Sequence, residues 1–283
     1  MNIIRPNWSA PPNIHAISTT RLSLNSAATG AEPTAYDYCN LGAHVGDDAA
    51  SVKANRMALV EEYNMPSSPI WLEQTHSTEL VELSNLAIKG SIDSLAEQGS
   101  KVSPSNADGS LFKADGSISK ADGSLFTADG SITREQEVVC AVMTADCLPL
   151  LLCDVHGTQA AAVHAGWRGM ADGIIENAIS KFDCQAEDII AWAGPCIGPS
   201  KFEIGLEVQQ QLGGLSSHYQ ETSNGKVLAN LYAICGFKLA TLGVKNYSHS
   251  AACTYSDSRH FYSYRRDGQC GRMASLIWIG KPT

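Results

Sequence analysis

The sequence predicts an α+β fold, with mixed β-sheets flanked by helices, on three observations. Apolar runs of strand length alternate with helically spaced segments but without an even βαβ rhythm, which argues against a doubly wound sheet. The 283 residues, 44% hydrophobic and 17% charged, supply enough apolar surface for one large core. The middle of the chain, Val138 to Gly169, then sets two buried strands and a helix start around a thiol, an imidazole and a guanidinium. Function concentrates on loops at such strand ends.

Ile14–Ser18 predicts an early strand leading to Arg21. After N-L-G-A-H-V-G-D-D, Asp47 or Asp48 caps a helix whose positions Val52, Leu59, Val60 and Tyr63 share a face. Asn64, Met65 and Pro66 end it. Pro69–Leu72 is a short strand emptying into E-Q-T-H-S, which places His76 just past its end. Val138–Met143 and Ala160–Val163 are the central strands, with Cys147 after the first and His164 ending the second. Gly173–Phe182 predicts a helix, Ile189–Ala193 a strand, Lys201–Gly205 an extended piece and Leu206–Leu212 a helix. Leu228–Leu242 predicts one helix, and strands are expected at Ala251–Thr254, Phe261–Tyr264 and Met273–Ile279.

Between these elements A-D-G-S recurs at Ala107, Ala114, Ala121 and Ala128, a seven-residue period. A glycine in every heptad, about 1 kcal/mol worse than Ala in a helix, excludes a coiled coil. Asp-Gly favours turns, and Ser-Leu-Phe favours short extended pieces. The reading is one domain, 1–283, carrying a repeat-loop insertion at about 105–127. A surface loop or hairpin without chemistry fits it, and so does a small β-stack or partner-binding flap.

The formal charge of −9 argues against a nucleic-acid or anionic-membrane binder. Nine cysteines, an odd number without C-x-x-C pairs, fit a reducing compartment. No apolar stretch reaches the length of a signal-peptide core or a membrane span. A cytoplasmic protein, monomer or small homo-oligomer, is the expectation.

His76, Cys147 and His164 make a zinc set by chemistry: a thiolate and two imidazoles suit a borderline-soft ion and leave a fourth position open. Water at such a position ionises near neutrality. Their separations match no finger or ribbon motif, and satisfied core groups would read the same. Arg168, at a helix start, suits an anion such as phosphate, or is a surface arginine. Asp146 orients His164 or handles protons, or is a turn residue. Of Arg265 and Arg266 in S-Y-R-R-D-G, one faces the cleft and the other Asp267. P-loop, G-x-S-x-G and H-E-x-x-H motifs are absent from the sequence, and P-C-I-G-P lacks the second cysteine of nucleoside deaminases.

Taken together, N-L-G-A-H-V-G-D-D, Q-T-H, A-D-G-S-I-T, M-T-A-D-C-L-P, V-H-A-G-W-R-G, G-P-C-I-G-P and F-Y-S-Y-R-R-D-G resemble the bacterial laccase-domain family. That family was earlier regarded as polyphenol oxidases and is now described as purine nucleoside phosphorylases. The resemblance runs from about Ser18 to the C-terminus. It implies a fold akin to the catalytic domain of cytotoxic necrotising factors and one zinc held by His76, Cys147 and His164. It implies phosphorolysis of adenosine, inosine, guanosine and methylthioadenosine, with adenosine deamination. Catalysis then falls to Cys147, Asp146 and Arg168, and the nucleoside and phosphate to Asn40, His44, Arg56 and Arg266. Two departures stand out. The family's double glycine after Arg21 is missing, and only the last repeat copy, Ala128–Thr133, aligns.

Two other enzyme classes compete. A copper-dependent polyphenol oxidase would need paired H-x-H ligands, and none of the eight histidines are two apart. A cysteine-type amidase editing peptidoglycan precursors, also represented in the family, would use Cys147 as nucleophile and His164 as base. A purine- or metal-binding module without turnover is the non-enzyme alternative.

Overall fold

The computed structural model describes residues 3–22, 35–84 and 126–281. In chain order its first strands are β1 (Ile3–Ile4) and β2 (Ile14–Thr19), followed by α1 (Ala49–Glu62). Then come β3 (Leu72–Glu73), β4 (Leu80–Leu83), β5 (Phe126–Thr127), β6 (Gly130–Thr133), β7 (Cys140–Thr144), β8 (Leu148–Asp154) and β9 (Ala160–Ala165). Two short helices follow, α2 (Trp167–Asp172) and α3 (Ile174–Ser180), then β10 (Ile189–Ala193), β11 (Glu203–Ile204) and α4 (Leu206–Leu212). The rest is β12 (Tyr219–Glu221), β13 (Val227–Ala229), α5 (Leu231–Thr241), β14 (Asn246–His249), α6 (Tyr264–Asp267) and β15 (Met273–Ile279).

Two large sheets organise these elements, as the α+β reading expects. One is antiparallel, in the order β1-β2-β15-β7. The other is mixed, in the order β14-β10-β8-β9-β6-β4, with its parallel pairs at the two edges. Two small sheets, β11-β13-β12 and β3-β5, complete the described residues.

Because successive side chains alternate across a strand, each central strand feeds two cores. Leu151 and Cys153 of β8 meet Cys140 and Val142 of β7 and Ile277 of β15 between the sheets. Leu150 and Leu152 face outward under Ile174, Ile175 and Ala178 of α3 and Ile234 of α5. Ala141 and Met143 of β7 face the other way, toward Leu59 of α1 and Trp71. The layers therefore run helix, sheet, sheet, helices. Strands covered on both faces read as continuous apolar runs, which is why the centre of the chain shows no alternation.

Most expected elements are in place, and Asp48 is the cap of α1, accepting from Ser51 N at 2.9 Å. Four expectations are corrected. The helix expected over Leu228–Leu242 is β13 followed by α5, because the Asn230 side chain accepts from Ala233 N and caps the helix there. Ala251–Thr254 forms no strand, only a single bridge between Cys253 and Cys196. Phe261–Tyr264 is a loop into α6, whose cap Ser263 accepts from Arg266 N. The strand near Pro69–Leu72 begins at Leu72. Conversely, β8 is a seven-residue strand that Pro149 disguises in the sequence. Of the A-D-G-S repeat, residues 105–125 lie outside the described residues. The last copy is no surface turn: Gly130–Thr133 is a buried strand, and a Cβ on Gly130 would lie 2.9 Å from Leu80 Cγ.

Candidate metal centre

Three chain segments deliver the predicted ligands to one point. Cys147 lies where the chain passes from β7 to β8, His164 lies on β9, and His76 lies in the loop between β3 and β4. Their ligand atoms all lie within 4.8 Å of one another, and no other group of three or more His, Cys, Asp or Glu among the described residues does this. Cys147 Sγ is 3.8 Å from His76 Nε2, and the two imidazoles meet edge to face at 4.8 Å. Tetrahedral zinc with ordinary bond lengths would separate a sulfur and a nitrogen ligand by about 3.6 Å. The donor set and its spacing fit the ion.

One buried carboxylate arranges this geometry. Asp129, fully buried, sits 2.8 Å from Nδ1 of His164, and its backbone carbonyl accepts from His164 N at 2.7 Å. The same carboxylate accepts from the backbone N–H groups of Thr75, His76 and Ser77 at 3.1, 3.0 and 2.6 Å. With Nδ1–H donating to Asp129, Nε2 of His164 keeps its lone pair for a metal, the carboxylate–histidine arrangement of many metal sites. His76 has φ of +61° and Asp146 φ of +89°. Non-glycine residues held in the left-handed region at a site mark backbone that its surroundings over-determine. Gln74 fixes the His76 loop to β7, accepting from Met143 N at 2.7 Å and donating to Met143 O at 2.9 Å. Gly166 leaves the room: a Cβ there would lie 2.9 Å from His76 Cδ2 and 3.3 Å from Cys147 Sγ.

The electrostatics follow from these contacts. Burial alone would push the Cys147 thiol up, but the His164 and His76 rings beside it outweigh burial and bring it to about 6. Burial would lower His164, and against it the Cys147 thiolate and Asp129 raise the imidazole to about 9. Asp129, which burial would raise, is held well below the usual carboxylate range by hydrogen bonds from His164 and Ser77. The cluster thus favours a thiolate, the form that ligates or attacks.

The cluster opens onto a cavity of about 440 Å³. Arg168, His44 and Asp146, all expected at the site, line it, together with Arg265 and Arg272. Its apolar wall includes Trp167, Ile197, Phe202 and Leu231. Burial, then the charges of Arg272 and Arg56, keep the pKa of His44 below the ordinary imidazole value.

Asn40, Arg56 and Arg266 stand behind the wall instead. Asn40 is buried and shapes the loop that carries His44, accepting from Gly42 N and Arg272 N and donating to Asp47. Arg56 donates to Leu41 O and lies 4.4 Å from the Trp71 ring. Arg266 donates to the carbonyls of Thr254, Tyr255 and Phe261 and pairs with Asp267 at 2.7 Å. The arginine at the cleft is Arg265. The carboxylate that orients His164 is Asp129, whereas Asp146 bonds Thr254, Ser263 and the Arg265 backbone. Sequence reasoning passed over Asp129 because it sits in a repeat, although that copy is the one matching the family pattern. Gln74 had only its place beside Thr75 and His76 to signal it.

Comparison with known proteins agrees with the resemblance. Residues 21–280 match a family described as multi-copper polyphenol oxidoreductase laccase. A Haemophilus influenzae protein named purine nucleoside phosphorylase is 38% identical, covering 99% of this chain and 100% of that one. Escherichia coli purine nucleoside phosphorylase YfiH is 36% identical over 98% of each chain. The crystal structure of Neisseria meningitidis protein NMB0706 superposes with a TM-score of 0.78 at 34% identity, covering 99% of this chain and all of the other. With full-length relatives, a shared fold and the expected ligand residues gathered at one point, the chain belongs to the laccase-domain family, in which these two relatives carry the name purine nucleoside phosphorylase.

Proposed function

We propose that this protein is a zinc-dependent purine nucleoside phosphorylase acting on adenosine, inosine, guanosine and methylthioadenosine, and that the same site deaminates adenosine. The observation that carries this reading is a His–Cys–His cluster opening onto a cavity lined by arginines and by apolar side chains. The names of the relatives point the same way.

His76, Cys147 and His164 would hold the zinc. When bound, the ion supplies Lewis-acid chemistry, polarising a base or a water molecule. The protein's own groups do the rest. Phosphorolysis forms a bond from a phosphate oxygen to the anomeric carbon and breaks the bond to the purine nitrogen, through an oxocarbenium-like transition state. Arg168, exposed at the start of α2 with its guanidinium over the Trp167 ring at 4.4 Å, supplies charge and position for the phosphate. Phe202, Ile197 and Leu231 offer the purine a dry surface. Asp129 keeps His76 and His164 in register throughout. The reaction is read by chromatography of inosine plus phosphate: hypoxanthine and ribose 1-phosphate appear with wild type and not with H76A. Absence of hypoxanthine, with H76A and wild type alike, overturns the reading.

One observation favours a second reading. Cys147, His164 and Asp129 stand in the order nucleophile, base and orienting carboxylate, with a thiol lowered to about 6. A cysteine-type amidase acting on peptidoglycan precursors would use them so. Trapping of Cys147 by a peptide substrate in metal-free protein, with amide hydrolysis retained, would establish it. The copper-oxidase reading lacks a second ligand group among the described residues.

A further inference from the structure

Asp146 is held in an unusual way for a residue next to a metal ligand. Its carboxylate is buried and accepts from Thr254 Oγ1 at 2.6 Å, Ser263 Oγ at 2.9 Å and Arg265 N at 2.6 Å. Its backbone carbonyl accepts from Ile197 N at 2.9 Å, and its φ is +89°. With three donors on two oxygens, this group is a fastening and not a proton carrier. It ties the Cys147 loop to a segment more than a hundred residues later.

What that fastening presents is Arg265. The carboxylate takes the Arg265 backbone N–H and makes no hydrogen bond to its guanidinium. The guanidinium is steadied on the cavity wall by Glu203 O, 3.0 Å from Nη1, and by the Phe202 ring, 5.5 Å away. The Glu203 carboxylate, close enough to feel the Arg265 charge, makes its hydrogen bonds to Lys226 and Asn224. Among the described residues the other guanidinium N–H groups of Arg265 meet no protein acceptor. Its neighbour Arg266 is saturated by three carbonyls and Asp267. An exposed guanidinium anchored at one N–H, with donors still open, in a cavity also lined by Arg168 and Arg272, suits a tetrahedral oxyanion.

We infer that Arg265 binds the phosphate in the cavity and that Asp146 is the positioning residue that sets Arg265 relative to the Cys147 ligand. This rests on the phosphorylase reading for its substrate, and the test separates the two. In zinc-loaded protein, R265A is expected to raise the KM for phosphate by about tenfold or more, the scale of a charge-assisted hydrogen bond. The KM for inosine and the bound zinc should stay within about twofold of wild type. R265K should recover part of the loss, and D146N should follow R265A in direction with its metal content retained. Loss of metal and a joint rise of both KM values in D146N would make Asp146 merely structural and overturn its part. An unchanged phosphate KM in R265A would overturn the whole. If wild type turns over no nucleoside, the phosphorylase reading fails, and calorimetry with inorganic phosphate decides this one. Binding by wild type that is lost in R265A upholds it. Equal binding by both, or none by either, ends it.

Discussion

The Asp129 carboxylate, 2.8 Å from Nδ1 of His164, also receives the backbone N–H of His76 at 3.0 Å. One side chain thus sets the ring of one prospective ligand and the main chain of another. D129N keeps the shape but places an amide where every partner is a donor. The expected result is a metal affinity 10- to 100-fold or so weaker. Competition with a chromophoric chelator measures it, and wild-type affinity in D129N would refute the positioning role.

The same carboxylate predicts an acid limit. Folding lowers the Asp129 pKa, so its stabilisation is complete above the ordinary carboxylate range and is lost progressively as pH falls from there toward the lowered folded value. Thermal unfolding of wild type should therefore lose more Tm between about pH 5 and pH 2 than unfolding of D129N does, most of it below about pH 4. Parallel losses in the two proteins would contradict it.

In metal-free protein Cys147 should be the fast thiol. Its pKa of about 6 makes it mostly thiolate at neutrality, while burial holds Cys140, Cys153 and Cys235 at about 12. Alkylation by iodoacetamide, located by peptide mass, should rise with a midpoint near pH 6 and be suppressed by added zinc. A midpoint near the ordinary thiol value, about 8.5, would mean that the histidines do not act on the sulfur.

Gly166→Ala should damage the centre more than the fold. The new methyl would sit 2.9 Å from His76 Cδ2 and 3.3 Å from Cys147 Sγ, and the His76 ring, on a pinned backbone, is exposed and can turn aside. Metal affinity should fall by about tenfold or more while Tm changes little, because overpacking is costly where neighbours cannot move. Metal titration beside calorimetry separates the two.

Asn40→Ala tests a residue behind the wall. It leaves the Gly42 and Arg272 N–H groups without their acceptor in a buried loop, at a cost of about 1–3 kcal/mol each where water cannot replace it. Urea unfolding should show a loss of that order, with metal content unchanged.

Much of the fold was readable from the residues alone. Strands such as Ile189–Ala193 and Met273–Ile279, and the helix Leu206–Leu212, stand at their expected bounds because apolar content and breakers agree there. Strand β8 was hidden by Pro149, and the break at Asn230 by the apolar residues on both sides of it. At the site, residue chemistry brought out His76, Cys147 and His164, since thiols and imidazoles at strand ends are conspicuous. It could not rank one acidic residue against another: Asp129 and Asp146 differ only in what the fold places around them. Arg265 and Arg266 are adjacent and alike, and the turn of a four-residue helix decides which one reaches the cavity.

Cys147 lies at the step where the chain leaves the four-stranded sheet and enters the six-stranded one, while His164 belongs wholly to the second. Because Pro149, two residues on, pairs with His164 across β8 and β9, an ion gripping both would clip adjacent strands of one sheet and, through His76, hold a separate loop against them. Pulling that loop free would have to break a metal–nitrogen bond first, so occupancy should govern how readily this corner of the molecule opens.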